Sequence, residues 1–338
     1  MPAKINRQMV IAGIPTDRLE VSHYAMREAA VPEPGAGQVL VRTLLVSMDP
    51  VSRTRITGKP GGLQIGGVMP GSGLGQVVAS KNPDFTEGQV VECQTGWQDY
   101  SVHGAEALTG FTRLGPLTHH LSVYGVSGLT GYFGMAEAGA PKPGETVLVS
   151  AAGGAVGHIA GQVAKIRGAR VVGIVGSKEK AEWLTGTLGY DAAIDRRAGP
   201  LGAAIKQACP DGVDLYFDNV GGEVLETTLT RMKDHGRIVI CGYASQYDTQ
   251  TPETATRGVP SVVLYKRLRI DGYVVMDYYA HKQAARDQMA AWMKAGKLQV
   301  SVDLLDGLER APEGFVGLFN GDNRGKRMIR VADEVSSS

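Results

Sequence analysis

The chain has 338 residues, of which 43% are hydrophobic and 20% are charged, and its formal net charge is +1. This length and composition predict a soluble globular protein of about two domains. The near-neutral charge argues against a nucleic-acid partner and against a basic surface that binds membranes. The 46 glycines are spread along the chain, which favours many short strands and tight turns over disorder.

Nothing in the sequence predicts a leader or a membrane span. Residues 1–8 are polar and lack an apolar core before a cleavage site. The charge-free run Thr146–Ala164 is 19 residues long but contains four glycines, His158 and Gln162. A strand followed by a helix explains this run better than a span. We therefore expect a cytoplasmic protein with no membrane partner.

The cysteines and histidines do not predict a metal site. Cys93, Cys209 and Cys241 are far apart, whereas a zinc site made of cysteines alone needs four. His119 and His120 are adjacent, so their side chains point in different directions, and we expect them in a solvated turn. We read Cys93 and Cys241 as small buried apolar residues and expect no metal.

Short apolar runs separated by proline and glycine extend from Met9 to about Gly110 and predict a β-barrel-like module. A helix is then predicted over Val123–Met135. After Lys180, helical and strand-like runs alternate, with helices over 181–188, 201–208, 223–232 and 280–295 and strands over 192–194, 213–217, 237–241 and 269–275. Such alternation predicts a doubly wound parallel sheet. The tail, 298–332, has β-like pieces and a glycine turn over 321–325.

The stretch between these regions, Thr146–Lys180, predicts a nucleotide-binding βαβ unit. A β-rich run over Thr146–Val149 enters a turn of small residues, a helical pattern follows, and Arg170–Val175 is a second β-branched run. Three residues of the turn fit the dinucleotide fingerprint, with alanine at its first glycine position: Ala152, Gly154 and Gly157. Small residues there let a pyrophosphate approach the N–H groups at the helix N-terminus.

The end of the second β-branched run favours NADP(H) over NAD(H). NAD-binding proteins place a carboxylate there to bind both ribose hydroxyls. Here Val175 is followed by Gly176-Ser177-Lys178-Glu179-Lys180, and Ser177 with one of the lysines would attract a 2′-phosphate. Alternatively, both lysines only solvate the first turn of the next helix, whose N-terminus Glu179 would suit equally well.

These motifs, taken together and in order, resemble the zinc-independent reductases of the medium-chain dehydrogenase/reductase superfamily. The relevant group contains the leukotriene B4 dehydrogenase/prostaglandin reductase, alkenal double-bond reductase and curcumin reductase types. The motifs that carry the resemblance span nearly the whole chain: 47–50 (SMDP), 128–134 (GLTGYFG), 151–157 (AAGGAVG), 175–177 (VGS) with Lys180, 216–222 (YFDNVGG), 236–238 (GRI), 241–242 (CG), and 321–326 (GDNRGK).

The resemblance implies an α/β fold in which a Rossmann doubly wound parallel sheet is inserted into a GroES-like β-barrel catalytic domain. The expected domains are 1–126 and 300–338 for the catalytic part and 127–299 for the NADP-binding part. The resemblance also implies a homodimer. It carries over cofactor-binding roles to the following positions: Gly154, Ala155, Val156 and Gly157 at the pyrophosphate, Ser177 and Lys180 at the 2′-phosphate, and Asn219, Cys241, Tyr247, Tyr273, Val275 and Asn323 around the ribose and nicotinamide.

Two positions depart from the family pattern. Val51 stands where relatives commonly have a tyrosine that reaches the substrate pocket, in the stretch 49–53 (DPVSR). Arg196 stands where many relatives carry a tyrosine after the third strand of the nucleotide-binding sheet. Arg196 either stacks on adenine or adds a cation near the 2′-phosphate, or it is an ordinary surface residue.

Reduction of a conjugated carbonyl compound requires a hydride on the β-carbon, a proton on the α-carbon and a hydrogen-bond donor for the carbonyl oxygen. Tyr247 follows a predicted strand and is the first candidate for the donor; alternatively, it binds only the cofactor ribose. Five aromatic residues could line an apolar pocket or simply pack in a core: Trp97, Tyr100, Tyr132, Tyr243 and Tyr278.

The preferred function is NADPH-dependent reduction of the C=C bond of 2-alkenals and 2-enones, with a small conjugated carbonyl compound as substrate. An NADPH:quinone oxidoreductase and a non-catalytic NADPH-binding protein are the alternatives.

Overall fold

A computed structural model of the protein describes residues 5–57, 59, 61–249 and 259–335. The chain divides into two compact units. Unit 1 comprises Met1–Leu121, Asp303–Asp322 and Arg327–Ser338, and unit 2 comprises Ser122–Val302 and Asn323–Lys326. The four-residue segment Asn323–Lys326 was expected in the catalytic domain, but its contacts place it in unit 2.

The first part of the chain is mainly strands, as predicted. It contains β1 (Ile5–Ile11), β2 (Tyr24–Ala30), β3 (Gln38–Ser47), β4 (Gly73–Ser80), β5 (Val90–Cys93), β6 (Tyr100–Gly104), β7 (Thr109–Gly110) and the helix α1 (Leu117–Leu121). Three 3-10 helices interrupt the strands: Val21–His23, Pro50–Arg55 and Ala105–Ala107. The expectation of a solvated turn at His119–His120 is wrong. Both residues lie in α1, and His120 is buried, where its Nε2 accepts a hydrogen bond from the Leu114 N–H over 3.2 Å.

The middle of the chain alternates between helices and strands. Its elements are α2 (Val126–Phe133), β8 (Thr146–Val149), α3 (Gly157–Ile166), β9 (Arg170–Val175), α4 (Lys178–Gly186), β10 (Ala192–Asp195), α5 (Leu201–Ala208), β11 (Val213–Asp218), α6 (Gly222–Leu229), β12 (Met232–Ile240), α7 (Val259–Lys266), β13 (Arg269–Gly272) and α8 (Lys282–Lys294). A π-helix, Gly134–Gly139, extends α2, and 3-10 helices cover Ala244–Gln246 and Val275–His281.

Several predicted boundaries in this part need correction. Met232 was placed at the end of a helix, but it begins β12. The last strand of the sheet was expected to reach Val275, but β13 ends at Gly272. The chain after Gly272 leaves the sheet because Val275 begins a 3-10 helix, in which the N–H groups bond within a local turn.

The last part contains β14 (Val302–Asp306), a 3-10 helix (Leu308–Arg310), α9 (Ala311–Asn320) and β15 (Lys326–Arg330). The β-like pieces predicted here are confirmed as β14 and β15, but α9, which lies between them, was not predicted. Pro312 stands in the first turn of α9, where its missing N–H is harmless, and Gly321 ends the helix in the left-handed conformation at φ 75°. Phe315 fixes the helix on unit 1 through a fully buried ring.

Unit 1 is built on antiparallel pairing. Strand β3 pairs with β4, β6 and β15, and β1 pairs with β2 as a separate hairpin. Trp97 lies in the core of this unit, with its ring 5.4 Å from that of Tyr24 and 5.5 Å from that of Phe315. Of the two interpretations offered for Trp97, core packing is therefore the correct one.

Unit 2 is organised by a six-stranded parallel sheet of order β10-β9-β8-β11-β12-β13. All four residues of β8 are buried, as expected for an apolar strand that is covered on both faces. The predicted apolar face of α3 is confirmed, because Ile159, Ala160 and Val163 are fully buried. This sheet and the separate antiparallel unit confirm the predicted α/β fold class.

Within the described residues, no helix is both long enough and apolar enough to cross a membrane.

Candidate functional site

The site in unit 2 begins where the strand order reverses, between β8 and β11. In open parallel sheets, ligands bind outside the carboxyl ends of the strands at such a point. Ser150 follows β8 and Asn219 follows β11, and the two residues are joined by a pair of hydrogen bonds. The Ser150 Oγ accepts from the Asn219 N–H over 2.8 Å, and the Asn219 Nδ2 donates to the Ser150 carbonyl over 2.8 Å. The edge of the site is therefore fixed by side chains as well as by the sheet.

A buried carboxylate, that of Asp218, forms hydrogen bonds that hold Ser150 and the residues around Asn219 in place. Its side chain is fully buried and accepts hydrogen bonds from the Ser150 hydroxyl over 2.9 Å and from the Tyr216 hydroxyl over 2.7 Å. The N–H groups of Val220 and Gly221 donate to the same carboxylate, over 2.9 Å and 3.0 Å. These donors compensate for the loss of water around the charge. Burial, and then the neighbouring carboxylate, raise the pKa of Tyr216, so the phenol remains a donor.

The glycine loop between β8 and α3 has the geometry that close packing requires. Ala151 adopts a left-handed conformation at φ 46°, and the Gly154 N–H donates to its carbonyl over 2.9 Å. A Cβ atom on Gly157 would lie only 2.4 Å from the Ala151 carbonyl oxygen, so only glycine fits there. The amide group of Val156, just before α3, donates to no hydrogen bond among the described residues, whereas the parallel bridge between Gly154 and Gly325 directs the Ala155 N–H to the Gly325 carbonyl. The Val156 amide group is available to an anion.

His158, which was not predicted as a site residue, anchors the glycine loop from inside. Its Nδ1 lies 2.8 Å from the Gly154 carbonyl oxygen, and the Ser301 N–H donates to its Nε2 over 3.4 Å. The neutral ring with a proton on Nδ1 satisfies both contacts. Burial lowers the pKa of His158 to about 4, so this neutral form is kept at pH 7.

A short return segment of the chain holds the outer side of the same loop. The Gly325 N–H donates to the Gly153 carbonyl over 2.8 Å, and Gly325 forms a parallel bridge with Gly154. Asn323, one of the predicted residues, is buried in this segment, and its Nδ2 donates to the Gly325 carbonyl over 2.8 Å. The structure therefore brings Asn323 to the glycine loop.

Ser177 and Lys180 lie beside the glycine loop, at the tip of β9. Ser177 is the N-cap of α4, and its Oγ accepts from the Lys180 N–H over 3.3 Å. The stem of Lys180 crosses the loop, with its Cδ 3.5 Å from where a Cβ on Gly153 would stand. The neighbouring Lys178 points away and lies 3.7 Å from Glu182. Lys180 therefore lies at the glycine loop and Lys178 does not, a difference that the sequence could not show.

Arg196 lies just after β10 and is exposed. Its N–H donates to the Val175 carbonyl over 3.0 Å, which ties this turn to the tip of β9. Its guanidinium makes no hydrogen bond or ion pair with the residues that the structure describes.

Cys241 and Tyr247 follow the end of β12. The Cys241 N–H donates to the Asp218 carbonyl over 2.8 Å, which brings Cys241 to the same edge as Asn219. Burial raises the pKa of the Cys241 thiol to about 12, so it remains protonated. Tyr247 is half-buried, with its ring 4.6 Å from that of the exposed Tyr243 in an edge-to-face contact. Burial also raises the pKa of Tyr247.

Tyr273 and Val275, both buried, follow β13, the next strand of the sheet. The Tyr273 ring joins an aromatic cluster that also contains two predicted pocket residues, with the following members: Tyr132, Phe133, Tyr273, Tyr278 and Trp292. The close approach of Tyr273 to α2 depends on Gly134, where a Cβ would lie 2.9 Å from the Tyr273 Cε1.

Of the remaining candidates, Val51 and Tyr100 belong to unit 1. Val51 is 54% exposed, in the 3-10 helix Pro50–Arg55. Among the residues that the structure describes, no three His, Cys, Asp or Glu side chains come together in a group that could hold a metal ion.

The most important residues that sequence reasoning missed are Ser150, Asp218 and His158. Asp218 had a signal in the sequence, because a carboxylate directly after the apolar run Leu215–Phe217 is unusual for a buried strand. His158 had none, because its partner Ser301 is 143 residues away.

Two family models match the chain. One, described as the N-terminal domain of oxidoreductase, covers residues 7–110, and the other, described as zinc-binding dehydrogenase, covers residues 155–295.

The chain is also similar along its length to individual proteins. It is 38% identical to an NADPH-dependent curcumin reductase from Escherichia coli (strain K12), over 97% of this chain and 98% of that protein. It is 38% identical to a 2-alkenal reductase (NADP(+)-dependent) from Nicotiana tabacum, again over 97% and 98%. The crystal structure of CurA in complex with NADPH from Vibrio vulnificus matches with a TM-score of 0.90 and 34% identity, over 97% and 99% of the two chains.

Proposed function

The chain belongs to the medium-chain dehydrogenase/reductase superfamily, within the group of the curcumin and 2-alkenal reductases, and from this we propose that it reduces the C=C bond of α,β-unsaturated aldehydes and ketones with NADPH. The observation that carries the proposal is the 38% identity, over 97% of the chain, to two reductases named for conjugated substrates. The small substrate would be a conjugated carbonyl compound.

The glycine loop fits the pyrophosphate of NADP(H). The Val156 N–H, at the start of α3, has no partner among the described residues, and the helix dipole favours a negative charge at that end. Gly154 and Gly157 keep the backbone accessible, because neither adds a side chain. We assign the pyrophosphate to Gly154, Ala155, Val156 and Gly157.

The tip of β9 fits the 2′-phosphate. Ser177 offers a hydroxyl at the N-terminus of α4, and Lys180 crosses Gly153 with its stem. A phosphate at this position would receive a charge-assisted hydrogen bond from an ammonium group, which is among the stronger polar contacts in proteins. We assign the 2′-phosphate to Ser177 and Lys180, and keep Arg196 as a further candidate, either on the adenine or near this phosphate.

The nicotinamide ribose and ring are assigned to the strand ends on the other side of the switch point. Five residues of unit 2 are proposed there: Asn219, Cys241, Tyr273, Val275 and Asn323. Hydrogen bonds to Ser150 hold Asn219 in one orientation, and the Cys241 thiol stays neutral. These residues would therefore present a fixed, uncharged surface, which suits the orientation of a reactive ring.

When bound, NADPH supplies the hydride that the β-carbon of the substrate accepts. The chain must then donate a hydrogen bond to the carbonyl oxygen, where negative charge builds up. Tyr247 is our proposed donor, through its phenolic hydroxyl. Its raised pKa keeps the proton on the oxygen at neutral pH, as a donor requires. In the alternative, Tyr247 binds only the ribose of the cofactor.

We also propose that the reaction needs no zinc. Support comes from the composition of the chain, because the three cysteines are too few for a zinc site of four thiolates. Carbonyl polarisation would then depend on hydrogen bonds alone. The cytoplasmic location stays a prediction.

A homodimer is a further part of the proposal. Within the part of the chain that the structure describes, strand β13 pairs with β12 alone and so forms one edge of the parallel sheet. Near this edge several large apolar side chains are exposed: Leu264, Tyr265, Ile270, Val274 and Met276. Unpaired edges and exposed apolar groups are commonly covered by a partner chain. Light scattering during gel filtration should give about twice the chain mass of 35.8 kDa, and the mass of a single chain would contradict the dimer.

The function is tested with purified protein, NADPH and a medium-chain 2-enone. We expect NADPH oxidation with formation of the saturated ketone, and deuterium on the β-carbon when the transferred hydrogen of NADPH is deuterated. An allylic alcohol, which keeps the C=C bond, would contradict the proposal. Turnover only with a simple quinone would favour an NADPH:quinone oxidoreductase. Binding of NADPH without turnover on either acceptor would indicate a non-catalytic protein.

A further inference from the structure

Gly176, directly after β9, is a glycine that local packing does not demand. Its φ lies outside the left-handed region. A Cβ atom at this position would meet ordinary van der Waals distances only, with the Arg197 Cζ and Nε each at 3.8 Å and the Arg197 Nη2 at 3.9 Å. Three residues earlier, within β9, a Cβ on Gly173 would lie 2.5 Å from the Leu184 Cδ1. Gly173 is therefore required by packing, whereas at Gly176 a methyl group would only touch the guanidinium group of Arg197.

Arg197 reaches Gly176 because of the turn after β10. The Arg196 N–H donates to the Val175 carbonyl, which pins the turn to the tip of β9. The Arg197 N–H then donates to the Asp195 Oδ1 over 2.9 Å, a short-range bond typical of a tight turn. As a result the guanidinium of Arg197 lies over Gly176, while the same contact is absent for Arg196, among the described residues.

In sheets of this type, the residue at the position of Gly176 helps to decide which cofactor binds. Proteins that bind NAD place a carboxylate at the end of the second strand, where it bonds the ribose hydroxyls, whereas an arginine nearby suits a 2′-phosphate. Arg197 has the planar, permanently charged group that bonds phosphate oxygens in pairs. Lys180 approaches from the other side, over Gly153. Two cations from different elements therefore flank the position where a carboxylate would stand.

We propose that Arg197, lying over the side-chain-free position Gly176, is a determinant of the preference for NADP(H) over NAD(H). This inference rests on the proposed function, since it concerns the same cofactor. The inference concerns a residue that the sequence did not single out, and it gives Arg197 a different role from that of Arg196. Gly176 contributes by carrying no side chain, so that the Arg197 guanidinium can lie close to the backbone at the end of β9.

The test uses binding of two probes that differ only in the phosphate, adenosine 2′,5′-bisphosphate and AMP, by calorimetry. The measured quantity is the ratio of their dissociation constants in each variant of the full chain. Arg197→Gln should reduce the preference for the bisphosphate roughly tenfold, as expected for the loss of one charge-assisted contact at an exposed residue. Arg196→Gln should change the ratio less than about twofold, even if it weakens both probes through the adenine.

Two further variants probe Gly176. Gly176→Ala should keep the preference within about threefold, because the new methyl group would meet the Arg197 guanidinium at ordinary van der Waals distances. Gly176→Asp should place a carboxylate against Arg197, abolish the preference for the bisphosphate and improve the use of NADH. Lys178→Gln removes a nearby charge that faces Glu182, and it is the control for long-range electrostatics.

The outcomes separate this inference from the function on which it rests. If the unaltered chain shows no preference for the bisphosphate, the assignment and the proposed cofactor both fail. If the unaltered chain prefers the bisphosphate and Arg197→Gln keeps that preference, only the role of Arg197 is overturned. Equal effects of Arg196→Gln, Arg197→Gln and Lys178→Gln would indicate a diffuse field and would also overturn it.

Discussion

The side-chain amide of Asn219 donates to the backbone carbonyl of Ser150 over 2.8 Å, while the hydroxyl of Ser150 accepts from the backbone N–H of Asn219 at the same distance. The two residues therefore exchange backbone and side-chain bonds across the point where the strand order reverses. The Ser150 hydroxyl also donates to Asp218 over 2.9 Å. One small side chain thus satisfies two groups at the floor of the site.

Ser150→Ala should lower the free energy of unfolding by about 1–3 kcal/mol, because it leaves the buried Asp218 carboxylate and the part-buried Asn219 N–H with one partner fewer. Urea denaturation measures this. Ser245→Ala is the matched control, since its hydroxyl donates to the Val220 carbonyl at an exposed position, and its effect should not exceed about 1 kcal/mol. Equal losses in both variants would contradict the special role of Ser150.

Lys180→Met should raise the KM for NADPH roughly tenfold and leave the KM for NADH within about twofold, because only the former carries the 2′-phosphate. Steady-state kinetics with each cofactor and one enone measure the effect. Lys178→Met is the control, since that ammonium group is exposed and faces Glu182. A parallel loss with NADPH and NADH would show that Lys180 serves another part of the cofactor.

Tyr247→Phe should lower kcat roughly a hundredfold with little change in the KM for NADPH, if the phenol donates to the carbonyl oxygen of the substrate. If Tyr247 binds only the ribose, the KM for NADPH should rise instead while kcat is largely kept. Tyr243→Phe is the control, because its ring contacts that of Tyr247 while it is 49% exposed. A normal kcat in Tyr247→Phe would remove it from the reaction.

His158 should make the stability depend on pH in the acidic range. Burial lowers its pKa from 6.5 to about 4. Between these two pH values, His158 is protonated in the unfolded chain but neutral in the folded chain. The free energy of unfolding should therefore fall as the pH is lowered from about 6.5 to about 4. Below about pH 4, this residue adds no further loss. The full effect corresponds to roughly 3 kcal/mol.

The pH effect is measured by urea denaturation at several pH values, with His158→Gln as the comparison. Glutamine keeps a polar group at this position but does not titrate, so the loss of stability between pH 6.5 and pH 4 should become smaller. The same pH dependence in both proteins would show that other groups cause it.

Gly134→Ala should destabilise unit 2 by about 1–3 kcal/mol, since the new methyl group would lie 2.7 Å from the Phe217 Cε2 and 2.9 Å from the Tyr273 Cε1. Gly272→Ala is the control at a strand end where no atom lies within 4 Å, and it should stay within about 0.5 kcal/mol of the unaltered chain. Thermal and urea unfolding measure both. A neutral Gly134→Ala would mean that Tyr273 moves easily.

The sequence predicted best where the signal was local. The strands Thr146–Val149 and Arg170–Val175 have the predicted bounds, because apolar β-branched runs between glycines leave little choice. The glycine loop, Ser177 and Lys180 also meet as expected, since they are neighbours within one βαβ unit.

The prediction was weakest where local signals conflicted or where partners are distant in sequence. Helix α9 was missed because Gly314 and Gly317 weaken its helical pattern, although Pro312 and Gly321 mark its two ends. The roles of His158 and Gly325 depend on residues more than a hundred positions away, and no spacing rule reaches that far. Arg196 and Arg197 are adjacent and chemically identical, so only the turn geometry could distinguish them.

The return segment Asn323–Lys326 must be the last part of the nucleotide-binding unit to be added during synthesis. Gly325 adopts a left-handed conformation at φ 67° and bonds Gly153, while a Cβ there would lie 2.1 Å from the Ser301 carbonyl oxygen. All six strands of the parallel sheet have been synthesised once Gly272 is added, yet the glycine loop gains this last partner only some fifty residues later. A nascent chain released before position 325 would carry a finished sheet with an unsecured phosphate loop.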